Sequence, residues 1–228
     1  MPQLAYLAAI VLSVAAASHL AFDLSRAGTR AVFLIMGVPT VLFAALGVAR
    51  AHRDGVLRRW LSVKGGDFSR GFAAAAILFG AGFAFTKVVT PPTSARLGWL
   101  VRVYLQAGDP AELRKRVAFI VGGIIVMAVA EELVWRGLVV SLLEERIGSR
   151  RAWIWAAVLY GVAHLPTAWA LRDPVAGPNP LLVLAAIGCG LVWGGMARRF
   201  DRLLPSMFSH ALFDWTVIMM FRYWGPSV

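Results

Sequence analysis

Six ionisable side chains lie inside segments of this chain that are otherwise apolar and long enough to cross a membrane. They are Glu131, Glu132 and Arg136 in one segment, His164 in a second, and His210 with Asp214 in a third. A charged group at the centre of a bilayer costs at least about 2.5–3.5 kcal/mol, even on permissive insertion scales. Three segments that carry this cost predict one shared polar pocket. Carboxylates and imidazoles gathered there can activate water and transfer protons, so the set indicates catalytic machinery within a membrane.

Helical spacing explains how these side chains can meet. Residues four apart lie on one face of a helix, so Glu132 and Arg136 can pair, with Glu131 on an adjacent face. The same spacing occurs in two further pairs, Tyr160 with His164 and His210 with Asp214. Three short polar stripes can therefore converge on one cavity, which must be hydrated and open to one face if the chemistry is hydrolysis. We expect Tyr160 mainly to pack, with its hydroxyl within reach of the pocket.

The composition independently predicts an integral membrane protein. Of the 228 residues, 59% are hydrophobic and only 15% are charged, whereas soluble domains are about 25% charged. The whole chain, residues 1–228, is expected to form a single membrane domain. The formal net charge of +11 comes mainly from short loops, a placement that favours the anionic headgroups of the lipid bilayer and excludes nucleic acid as the expected partner. The single Cys189 excludes a disulfide within the chain.

The elements that must position the pocket are helices. The pattern predicts an all-α, polytopic transmembrane bundle of about seven membrane segments, with an interfacial amphipathic helix around Arg96–Leu105. The predicted segments are Pro2–Phe22, Ala31–Ala49, Gly71–Val89, Val117–Leu143, Trp153–Leu171, Pro180–Ala197 and Leu203–Phe221. Tryptophans such as Trp193 are interpreted as interface or packing residues.

The membrane orientation stays open at one point. Six basic residues lie in the loop Arg50–Arg70, which marks that loop as cytoplasmic. If all seven segments cross, the basic run Arg114–Arg116 falls on the opposite side, against the rule. Two explanations are compatible with this: either segment 71–89 is re-entrant, or the connection that contains the basic run is protected by burial or lipid contact.

Three motifs resemble those of the CAAX protease and bacteriocin-processing family of intramembrane proteases, which are similar to type II CAAX prenyl endopeptidases. The run Glu131–Arg136 resembles the family's EExxxR motif. Tyr160–His164 resembles its FxxxH motif, with Tyr in place of Phe, and His210–Asp214 resembles HxxxN or HxxxD. Each motif alone is common, but their order and their positions in separate apolar segments make the combination specific. The resemblance covers a catalytic core of about residues 117–221.

The resemblance implies hydrolysis of a peptide bond near the membrane-embedded or C-terminal tail of a membrane-anchored protein or peptide substrate. It assigns Glu131 to the activation of water with assistance from His164, while Arg136 pairs with Glu132. His210 and Asp214 are assigned to the developing oxyanion. An ionised Asp cannot donate a hydrogen bond. If the last motif requires a donor to the oxyanion, the Asp in place of the family's Asn argues against that role for Asp214.

A metal site is an alternative use of the same atoms. Zinc commonly takes three protein ligands and a water, and the resemblance is compatible with Glu131, His164, His210 and Asp214 as such ligands. The chain contains no HExxH, the stronger signature of a zinc protease. We therefore favour a metal-free glutamate mechanism and expect no cofactor.

Two non-proteolytic functions also place ionisable groups at this depth. A proton-coupled transporter does so, although this chain shows no internal repeat. The other is a noncatalytic membrane scaffold derived from the protease family. Loss of a catalytic residue would indicate such a scaffold, but this chain has a matching residue at every main motif position. The compact chain, rich in Ala and Arg, is typical of a bacterial protein, so the expected location is the bacterial cytoplasmic (inner) membrane.

Overall fold

The computed structural model describes residues 2–219, and the regular elements of that range are helical, which confirms the all-α class. The α-helices are Pro2–Ala21 (α1), Arg30–Arg53 (α2), Leu57–Trp60 (α3), Asp67–Val89 (α4), Leu97–Ala107 (α5), Pro110–Lys115 (α6), Val117–Glu132 (α7), Val140–Ile147 (α8), Ser149–Ala163 (α9), Leu165–Ala170 (α10), Leu181–Phe200 (α11) and Leu204–Met219 (α12). A π-helical segment, Leu133–Val139, joins α7 to α8 without a break.

Five helices within the described residues are long and apolar enough to cross a membrane, so the predicted count of seven is not confirmed. They are Gln3–Ala21, Arg30–Arg53, Asp67–Val89, Val117–Ile147 and Leu181–Phe200. Five such helices indicate a multi-pass membrane protein.

The predicted segment Trp153–Leu171 is divided at His164 into α9 and α10. Pro166 follows two residues later, and a proline removes a helical N–H and crowds the preceding turn. The last predicted segment corresponds to α12, which begins at Leu204 and is described to Met219. The predicted end at Phe221 lies outside the described residues.

The doubtful third segment, residues 71–89, lies within α4, one continuous helix of 23 residues. Its length and composition suit a full crossing, so its geometry gives no support to a re-entrant loop. The amphipathic prediction for Arg96–Leu105 corresponds to α5, in which Tyr104 is buried and Leu100 lines an apolar groove. This helix lies in the connection that also contains the basic run.

The continuous helix from α7 to α8 is the centre of the core. Every residue from Glu132 to Val139 is buried, because α2, α9 and α12 pack around this stretch. A π-helical turn holds one residue more than an α-turn and occurs frequently at functional sites. In this turn Gly137 faces the buried ring of Trp60, and a Cβ atom added at Gly137 would lie 2.7 Å from the ring atom Cζ3. The glycine therefore permits the close approach of α3 to the π-helical segment.

We expect Gly137→Ala to lower the free energy of unfolding by about 1–3 kcal/mol, because overpacking forces the Trp60 ring to shift. Thermal unfolding of the purified protein in detergent measures this change. Gly123→Ala is the matched control, since it lies on α7 and its added Cβ would meet nothing within 4 Å. The control variant should unfold at or above the wild-type temperature because Ala favours helix more than Gly. Equal unfolding temperatures for the two variants would contradict the packing argument.

A buried ion pair fixes the start of α12 against α4. Asp67 is 1% exposed and accepts hydrogen bonds from Arg202 Nε at 3.0 Å and from the Lys64 backbone N–H at 2.8 Å. The hydrogen bond to the Asp67 carboxylate raises the pKa of Arg202, which lies in the connection between α11 and α12. Since α12 carries His210 and Asp214, this ion pair helps to set their depth.

Candidate active site

The fold brings side chains from three helices into one cluster between α7, α9 and α12. Glu131 and Glu132 end α7, and Arg136 follows in the π-helical segment. Tyr160 comes from α9, and His210 and Asp214 come from α12. The cluster therefore contains five of the six predicted site residues in direct contact, together with Tyr160.

Glu132 is the innermost member of the cluster and is fully buried. Its Oε1 lies 2.9 Å from Arg136 Nη1, as the spacing of four residues predicts, and 2.9 Å from His210 Nδ1. A buried charge is tolerated when it is paired and hydrogen-bonded. Glu132 is thus held by a cation from its own helix and by an imidazole from α12.

His210 connects this buried pair to two more accessible carboxylates. Its Nε2 lies 3.4 Å from Asp214 Oδ2 and 3.9 Å from Glu131 Oε2. The exposed fraction of the side chain rises from 0% at Glu132 to 14% at Glu131 and 33% at Asp214. Glu131 and Asp214 are therefore accessible from outside the cluster, whereas Glu132 is closed.

Tyr160 packs as expected and also makes a polar contact. It is 6% exposed, and its hydroxyl donates a hydrogen bond to Glu131 Oε2. The centroid of its ring lies 5.0 Å from that of Trp135 and 4.7 Å from that of His164. The side chain therefore links the second motif to the first carboxylate of the first motif.

Trp193 of α11 is a member of the cluster that no motif predicted. Its ring stacks on His210, with the centroids 3.8 Å apart and the planes at 19°, and its Nε1 donates to Ser209 Oγ. The Arg136 guanidinium lies between two aromatic faces, 5.0 Å from the Tyr160 centroid and 5.2 Å from that of Trp193. Such cation–π contacts stabilise a desolvated cation. One sequence feature could have indicated that Trp193 is buried against another helix. Gly190, which allows close packing, lies three residues earlier and therefore on the same helix face.

We expect Trp193→Leu to lower the free energy of unfolding by about 2–4 kcal/mol, because it removes a large buried ring and one of the two aromatic faces of Arg136. Denaturant or thermal unfolding in detergent measures the loss. Trp155→Leu on α9 is the control, since Trp155 is 51% exposed and its loss should change stability little. Equal losses in the two variants would contradict a specific role for Trp193 in the cluster.

His164 lies beside the cluster, at the break between α9 and α10. Its Nδ1 is 2.8 Å from the Tyr160 carbonyl oxygen, and its ring meets the Tyr160 ring edge-on. No hydrogen bond or ion pair connects His164 to a carboxylate within residues 2–219. The structure therefore connects His164 to the carboxylates through Tyr160.

The predicted zinc ligands do not form a metal-binding group in this arrangement. Among residues 2–219, no three His, Cys, Asp or Glu side chains are grouped as a metal ion requires. His164, one of the four ligands, contacts the Tyr160 carbonyl oxygen, and the Tyr160 hydroxyl donates to Glu131. The metal-free glutamate mechanism stays a prediction.

Two spaces of different character border the cluster. A polar cavity of about 640 Å³ reaches Arg136 and is lined at its outer part by charged residues such as Arg198 and Glu144. An apolar groove of about 350 Å³ lies between α4, α5, α11 and α12. Its lining includes Phe213 and Cys189, both of which pack with Trp193. One space suits water, and the other suits an apolar chain.

Comparison with known proteins agrees with this geometry. Residues 113–216 match the model of the family described as type II CAAX prenyl endopeptidase Rce1-like. This part of the chain is similar to that family. All six predicted site residues, Tyr160 and Trp193 lie within the matched range, whereas α1 to α5 lie before it. No curated protein and no solved structure matches the chain. The type II CAAX endopeptidase resemblance is thus confirmed for the region that carries the cluster.

Proposed function

We propose that the protein is an intramembrane endopeptidase that hydrolyses a peptide bond near the membrane-embedded or C-terminal tail of a protein substrate. The observation that carries this proposal is the different accessibility of the two adjacent carboxylates. Glu132 is closed and paired, whereas the neighbouring Glu131 is partly exposed beside the imidazole of His210. A general base must be within reach of the proton that it removes, and Glu131 satisfies this condition.

In the proposed reaction, Glu131 takes a proton from a water molecule, whose oxygen forms a bond to the scissile carbonyl carbon. The carbonyl oxygen becomes an oxyanion. The C–N bond then breaks, and the proton held by Glu131 passes to the leaving nitrogen. The products are a carboxylate and an amine, so the step needs no further reactant.

His210 is the proposed donor to the oxyanion. With Nδ1 directed at Glu132, its Nε2 is the nitrogen on the accessible side. Asp214 lies 3.4 Å from Nε2 and, when ionised, favours the imidazolium. An ionised carboxylate cannot donate a hydrogen bond, so we assign Asp214 to the support of His210 rather than to the oxyanion itself. His164, which has no ion pair to a carboxylate in the described range, is proposed to assist at the substrate or the attacking water.

The proposed substrate is a membrane-anchored peptide tail with apolar residues next to the scissile bond. The apolar groove supports this, because Phe213 in its lining directly precedes Asp214. The polar cavity reaches Arg136, which pairs with Glu132, and we propose that water enters the cluster from this cavity. Hydrolysis at membrane depth requires both an apolar substrate site and access for water.

Cleavage of a panel of membrane-anchored peptide tails by the purified protein tests the proposal. Product masses locate the cut, and wild type is compared with Glu131→Ala and His210→Ala, each with and without a chelator. We expect cleavage that requires both residues and survives chelation. Activity that chelation removes and zinc restores would contradict the metal-free mechanism, whereas equal cleavage by the variants and wild type would contradict the site. If no tail is cleaved by wild type, the proposal of a peptidase acting on such tails is wrong.

A further inference from the structure

The second motif of this chain differs from the family pattern by one oxygen atom, since Tyr160 stands where FxxxH has Phe. The hydroxyl is buried with the rest of the side chain. A buried hydroxyl is costly unless it is hydrogen-bonded. Here it donates to Glu131 Oε2, a carboxylate 29 residues away on another helix. A phenylalanine could fill the same space but could not make this contact.

The contact distinguishes the two oxygens of Glu131. Oε2 accepts from Tyr160 and is also the oxygen that lies 3.9 Å from His210 Nε2. No side chain of residues 2–219 donates a hydrogen bond to Oε1. Oε1 is therefore the oxygen that can accept a proton from water, while Oε2 fixes the plane of the carboxylate.

The ring of Tyr160 has a separate function. It lies 5.0 Å from the Arg136 guanidinium, and that guanidinium pairs with Glu132. Tyr160 therefore contacts Glu131 directly through its hydroxyl, and through its ring it contacts the guanidinium that pairs with Glu132. A Phe at this position keeps the ring contact and loses only the hydrogen bond, so the two functions can be separated by substitution.

We propose that Tyr160 is a positioning residue for Glu131: its hydroxyl holds Oε2 so that Oε1 faces the attacking water. This inference rests on the proposed function, in which Glu131 is the general base. In this proposal Tyr160 transfers no proton, and it acts through the orientation of the Glu131 carboxylate.

Kinetics of Tyr160→Phe and Tyr160→Leu test the proposal. Hydrogen bonds to charged groups are worth more than neutral ones, so we expect Tyr160→Phe to lower kcat roughly ten- to hundredfold with KM unchanged. Its thermal unfolding should stay near that of wild type, because the ring packing is retained. Tyr160→Leu should lower both kcat and the unfolding temperature, because the ring contact to Arg136 is also lost. Tyr6→Phe, at an exposed position on α1, is the matched control and should leave kcat unchanged.

Two results would overturn the inference: a kcat of Tyr160→Phe within twofold of wild type, or a raised KM with unchanged kcat. A second measurement works even if no substrate tail is cleaved. An apolar carbodiimide modifies carboxyl groups in membrane proteins, and mass spectrometry can follow its addition at Glu131. Loss of the hydroxyl that occupies Oε2 should make Glu131 react several-fold faster in Tyr160→Phe than in wild type, with Glu131→Gln as the site control. An unchanged rate of modification would refute the positioning contact independently of the proposed function.

Discussion

Glu131→Gln is expected to lower peptide cleavage by about a thousandfold while the protein remains folded. General-base catalysis contributes typically about 10²–10⁴-fold, and an amide cannot take the proton that Glu131 removes from water. The amide oxygen can still accept the hydrogen bond from Tyr160, so the local packing is retained. The rate constant for cleavage of a membrane-anchored tail measures the loss, and thermal unfolding shows that the variant is intact.

Glu112→Gln is the matched control for this change. Glu112 lies on α6, where its side chain is 52% exposed and forms an exposed ion pair with Lys115. The control should cleave as wild type does. A Glu131→Gln variant that keeps more than a tenth of the wild-type rate would remove Glu131 from the role of general base, whatever the activity of the control.

The second large effect is on stability, and it concerns the partner of the closed carboxylate. Arg136→Leu is expected to lower the free energy of unfolding by about 3–5 kcal/mol, because it leaves a buried charge without its cation. Glu132 would retain His210, whose Nδ1 lies 2.9 Å from Glu132 Oε1, as its remaining partner. Denaturant unfolding in detergent measures the change.

A double-mutant cycle separates the lost ion pair from the lost side-chain volume. Adding Glu132→Leu to Arg136→Leu removes the unpaired charge, and well-packed apolar replacement of a buried pair is often neutral or better. The double variant should therefore be less destabilised than the sum of the two single variants. Lys115→Leu is the control for an exposed pair, where about 0–1 kcal/mol is expected. Additive single effects in the cycle would show that Glu132 and Arg136 do not depend on each other.

The parts of the fold and site that were predictable are those set by local spacing. The contact between Glu132 and Arg136, and that between His210 and Asp214, each join residues four apart on one helix. The helical class follows from long apolar segments that must satisfy their own backbone in a membrane. The number of crossing helices was not predictable to the same degree, because a proline near His164 divides one apolar segment into two short helices.

What only the tertiary structure decided are the contacts between side chains far apart in the chain. His210 Nδ1 contacts Glu132, which lies 78 residues away in the chain. With this contact Glu132 is the closed carboxylate and Glu131 is the accessible one. Trp193 completes the cluster by stacking on His210, although a tryptophan in an apolar helix signals packing in general rather than a particular partner. The amino-acid sequence by itself determined which groups must avoid lipid and which neighbours on a helix can pair. The packing of α7, α9, α11 and α12 decided which of these groups meet, because the rotation and depth of each helix depend on all of its neighbours at once.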